Sequence, residues 1–342
     1  MRIVDMHCDT ISELLLSLEA KTQQDGILQK SYSKQNVISN AIGDTLRENA
    51  RHVDLMRMKN AGYLLQNFAL FVNKQKFPDV KKRVLQLMDY YQNEMTQNAD
   101  LIAPMTCMAD LERNQLQGRM SAMLTIEEGA ALEGSVDTLK EFYNKGVRMI
   151  TLTWNYPNEL GFPHGYNEKS SVCKRFGLTA CGFEMVEAME SLGIIVDVSH
   201  LSDDGFYDVV KCMKKPFVAS HSNARKICNM SRNLTDDMIR VLAERGGVMG
   251  LNFYPPFLED DKEGCGTIAS VIRHAKHIVN VGGIDVLGLG SDFDGIDGHK
   301  ELPGVHAMSR LSDAFAKAGF CGADIDKIFS GNVLRVYREV IG

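Results

Sequence analysis

This chain of 342 residues has no excess of basic charge: 38 Lys and Arg stand against 44 Asp and Glu, a formal charge of -6 at pH 7, with a pI near 5.9. A polyanion meets no broad attraction, so nucleic acid is excluded as a partner. The chain contains no run of about 18 uncharged apolar residues, and no membrane-spanning helix is expected. Met1-Arg2-Ile3-Val4-Asp5-Met6-His7 carries no apolar stretch of signal-peptide length. The eight cysteines, Cys8, Cys107, Cys173, Cys181, Cys212, Cys228, Cys265 and Cys321, form no CxxC pair and no framework spacing. A disulfide scaffold is excluded, and reduced thiols in a cytoplasmic protein are expected. A repeat of about 20 to 50 residues, a Pro/Ser-rich linker and a low-complexity tract are all lacking, so residues 1–342 read as a single domain.

The composition is core-forming, 44% hydrophobic and 24% charged. Short apolar runs alternate with longer stretches of helical period, which predicts βαβ units and a parallel sheet. Strands are expected at Arg2 to Met6, Leu64 to Val72, Ser121 to Ile126, Arg148 to Thr153, Ile194 to Val198, Phe217 to Ala219, Val248 to Asn252 and Val286 to Leu289. Helices are expected at Val80 to Asn93, Val136 to Asn144, Gly182 to Leu192, Asp204 to Met213, Asp236 to Glu244 and Ala269 to Val279. Asp79, Ser135 and Thr235 are placed to cap three of them. Eight strands in alternation suit a (β/α)8 TIM barrel, although a doubly wound sheet gives much the same string. The polar, poorly periodic stretch from Thr22 to His52 reads as an excursion after the first strand.

Candidate metal ligands fall at the ends of the apolar runs, where a parallel barrel collects its catalytic groups, and this favours the barrel. His7 and Asp9 end the first run two residues apart, so both project to one side of an extended chain. Glu127 ends the third, with two oxygens to offer two metals. His200 and His221 end the fifth and sixth, each in a Ser-His setting. Each alone has an ordinary reading, as a core histidine or a solvated carboxylate. Together they predict a site of imidazoles and carboxylates that suits zinc, and hence a hydrolase. Asp292 ends the eighth run, where a carboxylate can serve as general base toward a metal-bound water, while Asp294-Gly295 reads as turn chemistry. His52, His164, His274, His277, His299 and His306 fall in expected helices or loops, and the i, i+3 pair His274 and His277 reads as a solvated helix face.

These motifs, in this order, resemble the membrane dipeptidase (renal dipeptidase) family in its soluble bacterial branch. The likeness runs nearly end to end and rests on Asp5-Met6-His7-Cys8-Asp9, Ile126-Glu127-Glu128-Gly129, Val196-Asp197-Val198-Ser199-His200-Leu201-Ser202 and Ser220-His221-Ser222-Asn223-Ala224-Arg225. Ser231-Arg232-Asn233-Leu234-Thr235-Asp236, Gly250-Leu251-Asn252-Phe253-Tyr254 and Gly290-Ser291-Asp292-Phe293-Asp294-Gly295 extend it. The resemblance implies two zinc ions, with His7 and Asp9 on one, His200 and His221 on the other, and Glu127 bridging. It implies that Arg232 binds the terminal carboxylate of a dipeptide, that a C-terminal D-residue is accepted, and that the chain is a homodimer. The expected reaction is attack of a metal-bridging hydroxide on the peptide carbonyl, with Asp292 shuttling the proton. Two positions depart from the family pattern. After Thr151-Leu152-Thr153 the mammalian relatives carry a His that contacts the substrate carbonyl. Here Trp154 stands in that place, read as a wall of the pocket, and Asn155 is the candidate to replace the lost hydrogen bond. Ala130 stands where relatives often have His. A competing expectation keeps the metal site and assigns N-acyl amino acids or another small amide as substrate. The intact ligand set argues against a third, a binding protein with a decayed site.

Overall fold

The computed structural model describes residues 2–24, 44–166, 175–259, 266–297 and 299–342. Its strands are β1 (Ile3–Asp5), β2 (Tyr63–Phe71), β3 (Ile102–Pro104), β4 (Met120–Glu127), β5 (Val147–Thr151), β6 (Ile195–Asp197), β7 (Val218–Ala219), β8 (Val248–Leu251) and β9 (Leu287–Leu289). All pair in parallel, in the order β2-β1-β9-β8-β7-β6-β5-β4-β3, and a further pairing of β2 with β4 closes the sheet. That seam runs from Leu65 opposite Ser121 to Phe71 opposite Glu127. It makes the fold a closed eight-stranded barrel and removes the doubly wound alternative. The short β3, which the hydrophobic pattern does not announce, lies outside the closure, against the first residues of β4.

Successive residues of a strand project to opposite faces, and the apolar contacts divide accordingly. Val4, Leu65, Met123, Met149, Ile195, Val218 and Val248 pack together inside the barrel, while Ile3, Leu124, Ile150, Val196, Ala219 and Met249 belong to the outer core beneath the helices. Strands buried on both faces read as continuous apolar runs, which is why these were visible in the sequence. The inner layer is completed by Val333, Val336, Tyr337 and Val340 of the helix Asn332–Ile341, which seals the barrel at the end opposite the ligands. Gly288 makes room for it: a Cβ there would lie 2.9 Å from Val333 and 3.2 Å from Val248.

The expected caps form: Asp79, Ser135 and Thr235 accept from the backbone N–H groups of Lys82, Thr138 and Met238. The helix Thr10–Gln24 begins directly after Asp9 and ends just inside the stretch read as an excursion, of which residues 25–43 lie outside the described residues. Residues 44–52 return to the barrel, where the His52 N–H donates to Asp294 Oδ1 at 2.7 Å. His274 does not lie on a solvated face. It is fully buried, with Nδ1 accepting from the Ala224 N–H at 3.0 Å and Nε2 donating to the Leu258 carbonyl at 3.1 Å. Among the described residues no helix is long and apolar enough to cross a membrane.

Candidate metal centre and active site

Each ligand candidate stands at or just beyond the C-terminal end of a strand: His7 and Asp9 after β1, Glu127 at the end of β4, His200 after β6, His221 after β7 and Asp292 after β9. The barrel brings all six together. His7 Nε2 lies 3.4 Å from Asp9 Oδ2, 3.2 Å from Glu127 Oε2 and 3.8 Å from Asp292 Oδ1. The other oxygen of Glu127, Oε1, lies 3.1 Å from His200 Nε2 and 3.5 Å from His221 Nε2. His200 and Asp292 reach these positions with left-handed backbones, at φ 66° and 63°, a conformation that costs of order 1–2 kcal/mol per residue without glycine.

The outer nitrogens of two histidines fix what the inner ones offer. His200 Nδ1 lies 3.0 Å from Asn155 Oδ1, an atom that only accepts, so this nitrogen carries the proton and Nε2 is a lone pair. His221 Nδ1 lies 2.7 Å from Ser220 Oγ, whose own proton goes to Asp197 Oδ2 at 2.6 Å, so His221 Nε2 is a lone pair as well. The two lone pairs face each other at 3.0 Å, beside a carboxylate oxygen. Such a set repels itself unless a cation lies among its members.

The protonation equilibria carry the same message. Burial and the neighbouring positive charges push both His200 and His221 down, His200 to about 4. Burial would depress His7 too, but Glu127 and Asp9 hold it well above the usual imidazole range. Burial pushes Asp9 up to about 8 and Asp292 up to about 6. Three groups, His7 with Asp9 and Glu127, Glu127 with His200 and His221, and His7 with His221 and Asp292, have ligand atoms all within 4.8 Å of one another. The buried His7 Nε2 and Asp9 Oδ1 have no hydrogen-bond partner among the described residues. This donor set fits divalent metal, and it shares Glu127 between two groups.

Arg232 lies beside the cluster, 3% exposed. Its guanidinium donates to Ser222 Oγ at 2.6 Å and to the His221 carbonyl at 2.8 Å, while Nε has no partner. Among the described residues no carboxylate lies within ion-pair distance of it, and burial lowers its pKa to about 10. A buried cation lacking a counter-ion is prepared to receive an anion.

A family model described as membrane dipeptidase, peptidase family M19, matches residues 1–341. The chain belongs to the membrane dipeptidase family. The dipeptidase aclJ of Aspergillus oryzae is 29% identical over 298 residues, covering 84% of this chain and 70% of that protein. The crystal structure of a metallopeptidase of family M19, dipeptidase AC, is 25% identical with a TM-score of 0.84, covering 100% of this chain and 99% of that one. A metallopeptidase from Rhodobacter sphaeroides, solved with a phosphinate mimic of the dipeptide L-Ala-D-Ala, shares the fold at 24% identity and a TM-score of 0.83, over 99% of each chain. As a member of this metallopeptidase family the chain is a peptide-bond hydrolase.

In this member of the membrane dipeptidase family, Trp154 is half-buried in an aromatic row, its ring 4.9 Å from Phe71, 5.6 Å from Tyr156 and 6.3 Å from His200. Asn155 is exposed beside it, with Oδ1 on His200. The residues that sequence reading passed over are those that orient the ligands. Asp197, fully buried, accepts from the Ser199 and Ser220 N–H groups and from the Thr151 and Ser220 hydroxyls. Asp5 accepts from the Ser291 and His7 N–H groups. Asn252 Nδ2 donates to Asp292 Oδ2 at 2.9 Å. A signal existed for two of them: an Asp inside an apolar run, as in Ile3-Val4-Asp5 and Ile195-Val196-Asp197, is costly without a task.

Proposed function

We propose that the chain is a binuclear zinc dipeptidase, in which His7 and Asp9 hold one ion, His200 and His221 the other, and Glu127 both. The observation that carries this reading is the division of Glu127, with Oε2 toward His7 and Oε1 toward His200 and His221. Neutral imidazoles and carboxylates without thiolate suit zinc, since Cys8 turns its sulfur to the Asn67 carbonyl instead. When bound, the metal pair supplies Lewis acidity toward water and the scissile carbonyl.

The chain's own residues do the rest. Arg232 takes the free carboxylate of the substrate, which places the bond to be cut one residue inward over the cluster. Trp154, with Phe71 and Tyr156, walls the mouth and excludes water from one side. Asn155 donates to the substrate from the same strand end. Asp292 is pinned at one oxygen by Asn252, and its other oxygen faces His7 and the reacting centre. It is placed to accept the proton of the attacking water and return it to the leaving amine. We read residues 1–342 as one catalytic domain working in the cytoplasm, on dipeptides that include those ending in a D-residue.

The test is a panel of dipeptides, L-Ala-D-Ala and L-Ala-L-Ala among them, against purified protein loaded with zinc. Amino acids are released, metal analysis finds about two zinc per chain, and Arg232→Ala raises KM for dipeptides by about 100-fold. Failure to release amino acids from any dipeptide, or faster cleavage of N-acyl amino acids, overturns the assignment.

A further inference from the structure

A histidine outside the ligand cluster joins its two sides. His164 lies beyond β5, in a connection with no helical or strand period, yet its backbone N–H donates to the His200 carbonyl at 2.8 Å and its ring centroid lies 5.9 Å from that of His200. Nε2 of His164 is 3.2 Å from Asn155 Oδ1, and Nδ1 is 3.0 Å from Ser231 Oγ. Asn155 Oδ1 thus stands between two imidazoles, 3.0 Å from His200 Nδ1 and 3.2 Å from His164 Nε2. An amide oxygen has two lone pairs and no proton, so both rings donate to it. One assignment satisfies the chain: Ser231 gives its hydroxyl proton to His164 Nδ1, His164 gives Nε2–H to Asn155, and His200 gives Nδ1–H to the same oxygen.

The arrangement holds two things at once. The oxygen of Asn155 is occupied on both sides, so its carboxamide is fixed and its nitrogen is left as the group it presents to the exposed mouth. His200 keeps the tautomer that turns Nε2 toward Glu127 and His221. At the far end, Ser231 immediately precedes Arg232, so the same ring spans from the anion-binding side to the hydrolytic side.

We infer that His164 is a positioning residue for the hydrolytic centre, locking Asn155 between its own ring and His200 and thereby fixing both the His200 ligand and the Asn155 donor. The inference rests on the dipeptidase reading for its kinetic part and stands without it for its metal part.

The experiment titrates zinc alone against a chromogenic chelator and measures kcat and KM on one dipeptide, for the wild type, His164→Ala, His164→Gln, Asn155→Ala and the double variant His164→Ala with Asn155→Ala. Loss of a partner that orients a metal ligand costs about 10–100-fold in metal affinity or activity. His164→Ala is therefore expected to loosen zinc and lower kcat in that range while changing KM by less than about threefold. His164→Gln, which keeps an N–H donor for Asn155, recovers most of the loss. The double variant is no worse than Asn155→Ala alone, because both substitutions break one unit. Wild-type zinc retention in His164→Ala, or losses that multiply in the double variant, overturns the inference. If His164→Ala does not fold, Asn155→Ala must show the zinc loss and His164→Gln must not. A wild type that binds zinc but cleaves no dipeptide defeats the functional reading instead, and leaves the zinc comparison to decide this one.

Discussion

Gly295 follows the last ligand candidate by three residues and is needed for room. A Cβ there would lie 2.0 Å from Asp9 Oδ2 and 2.6 Å from Asp292 Oδ1, so even alanine must displace two site carboxylates. Gly295→Ala is expected to keep the fold, since the atoms nearest the added methyl belong to those two carboxylates, and to lower kcat/KM by about 100-fold through misplacement on the ångström scale. Circular dichroism with steady-state kinetics checks both halves, and unchanged kcat/KM would sink the argument. Read from sequence, this glycine is a turn residue, because backbone preference is local and the approach of Asp9 is not. The same distinction separates what was legible at this scale from what was not. His7, Asp9, Glu127, His200, His221 and Asp292 announce themselves by standing at the ends of apolar runs, and the barrel gathers them. His164 has no periodicity around it, and its role depends on contacts with residues 9, 36 and 67 positions away.

Among the elements, helix Ile268–Gly282 contributes stability through His274, the residue that the i, i+3 pattern misplaced. Its imidazole is held neutral, its pKa lowered by burial to about 4, and its Nδ1 must remain a lone pair to receive the Ala224 N–H. As pH falls from the unfolded value of 6.5, the unfolded chain takes up this proton before the folded one. The contribution is therefore complete above about pH 6.5 and is lost as pH drops toward 4, to a limit of about 3 kcal/mol. Urea denaturation at pH 7 and pH 5 should show a larger loss for the wild type than for His274→Asn, and equal losses would refute the assignment. The helix itself was legible by its period, and helices behind Asp79, Ser135 and Thr235 by their caps. The helix Thr10–Gln24 was not, because Asp9, the residue before it, is drawn into the ligand cluster. Nor was β3, three residues ending in Pro104, which pairs with part of β4 alone.

At the scale of the whole molecule, eight alternating runs left the choice between barrel and open sheet undecided, because periodicity reports which faces are buried and not which edges meet. The β2–β4 seam decides it. The seal at the other end depends on Tyr337, fully buried, whose hydroxyl accepts from Asn67 Nδ2 at 2.6 Å. Tyr337→Phe leaves that amide only the Met149 thioether, 3.9 Å away and a weak acceptor, and is expected to cost about 1–3 kcal/mol of stability with kcat/KM within about twofold of wild type. Chemical denaturation beside kinetics tests this, and a loss of activity without loss of stability would contradict it. With its floor closed by Val333, Val336, Tyr337 and Val340, the barrel is a vessel stoppered at the bottom, with its ligand candidates gathered at the rim. On the proposed reading of Trp154 and Asn155 as the mouth of the site, a molecule lodged against them competes with every dipeptide, whatever its side chains.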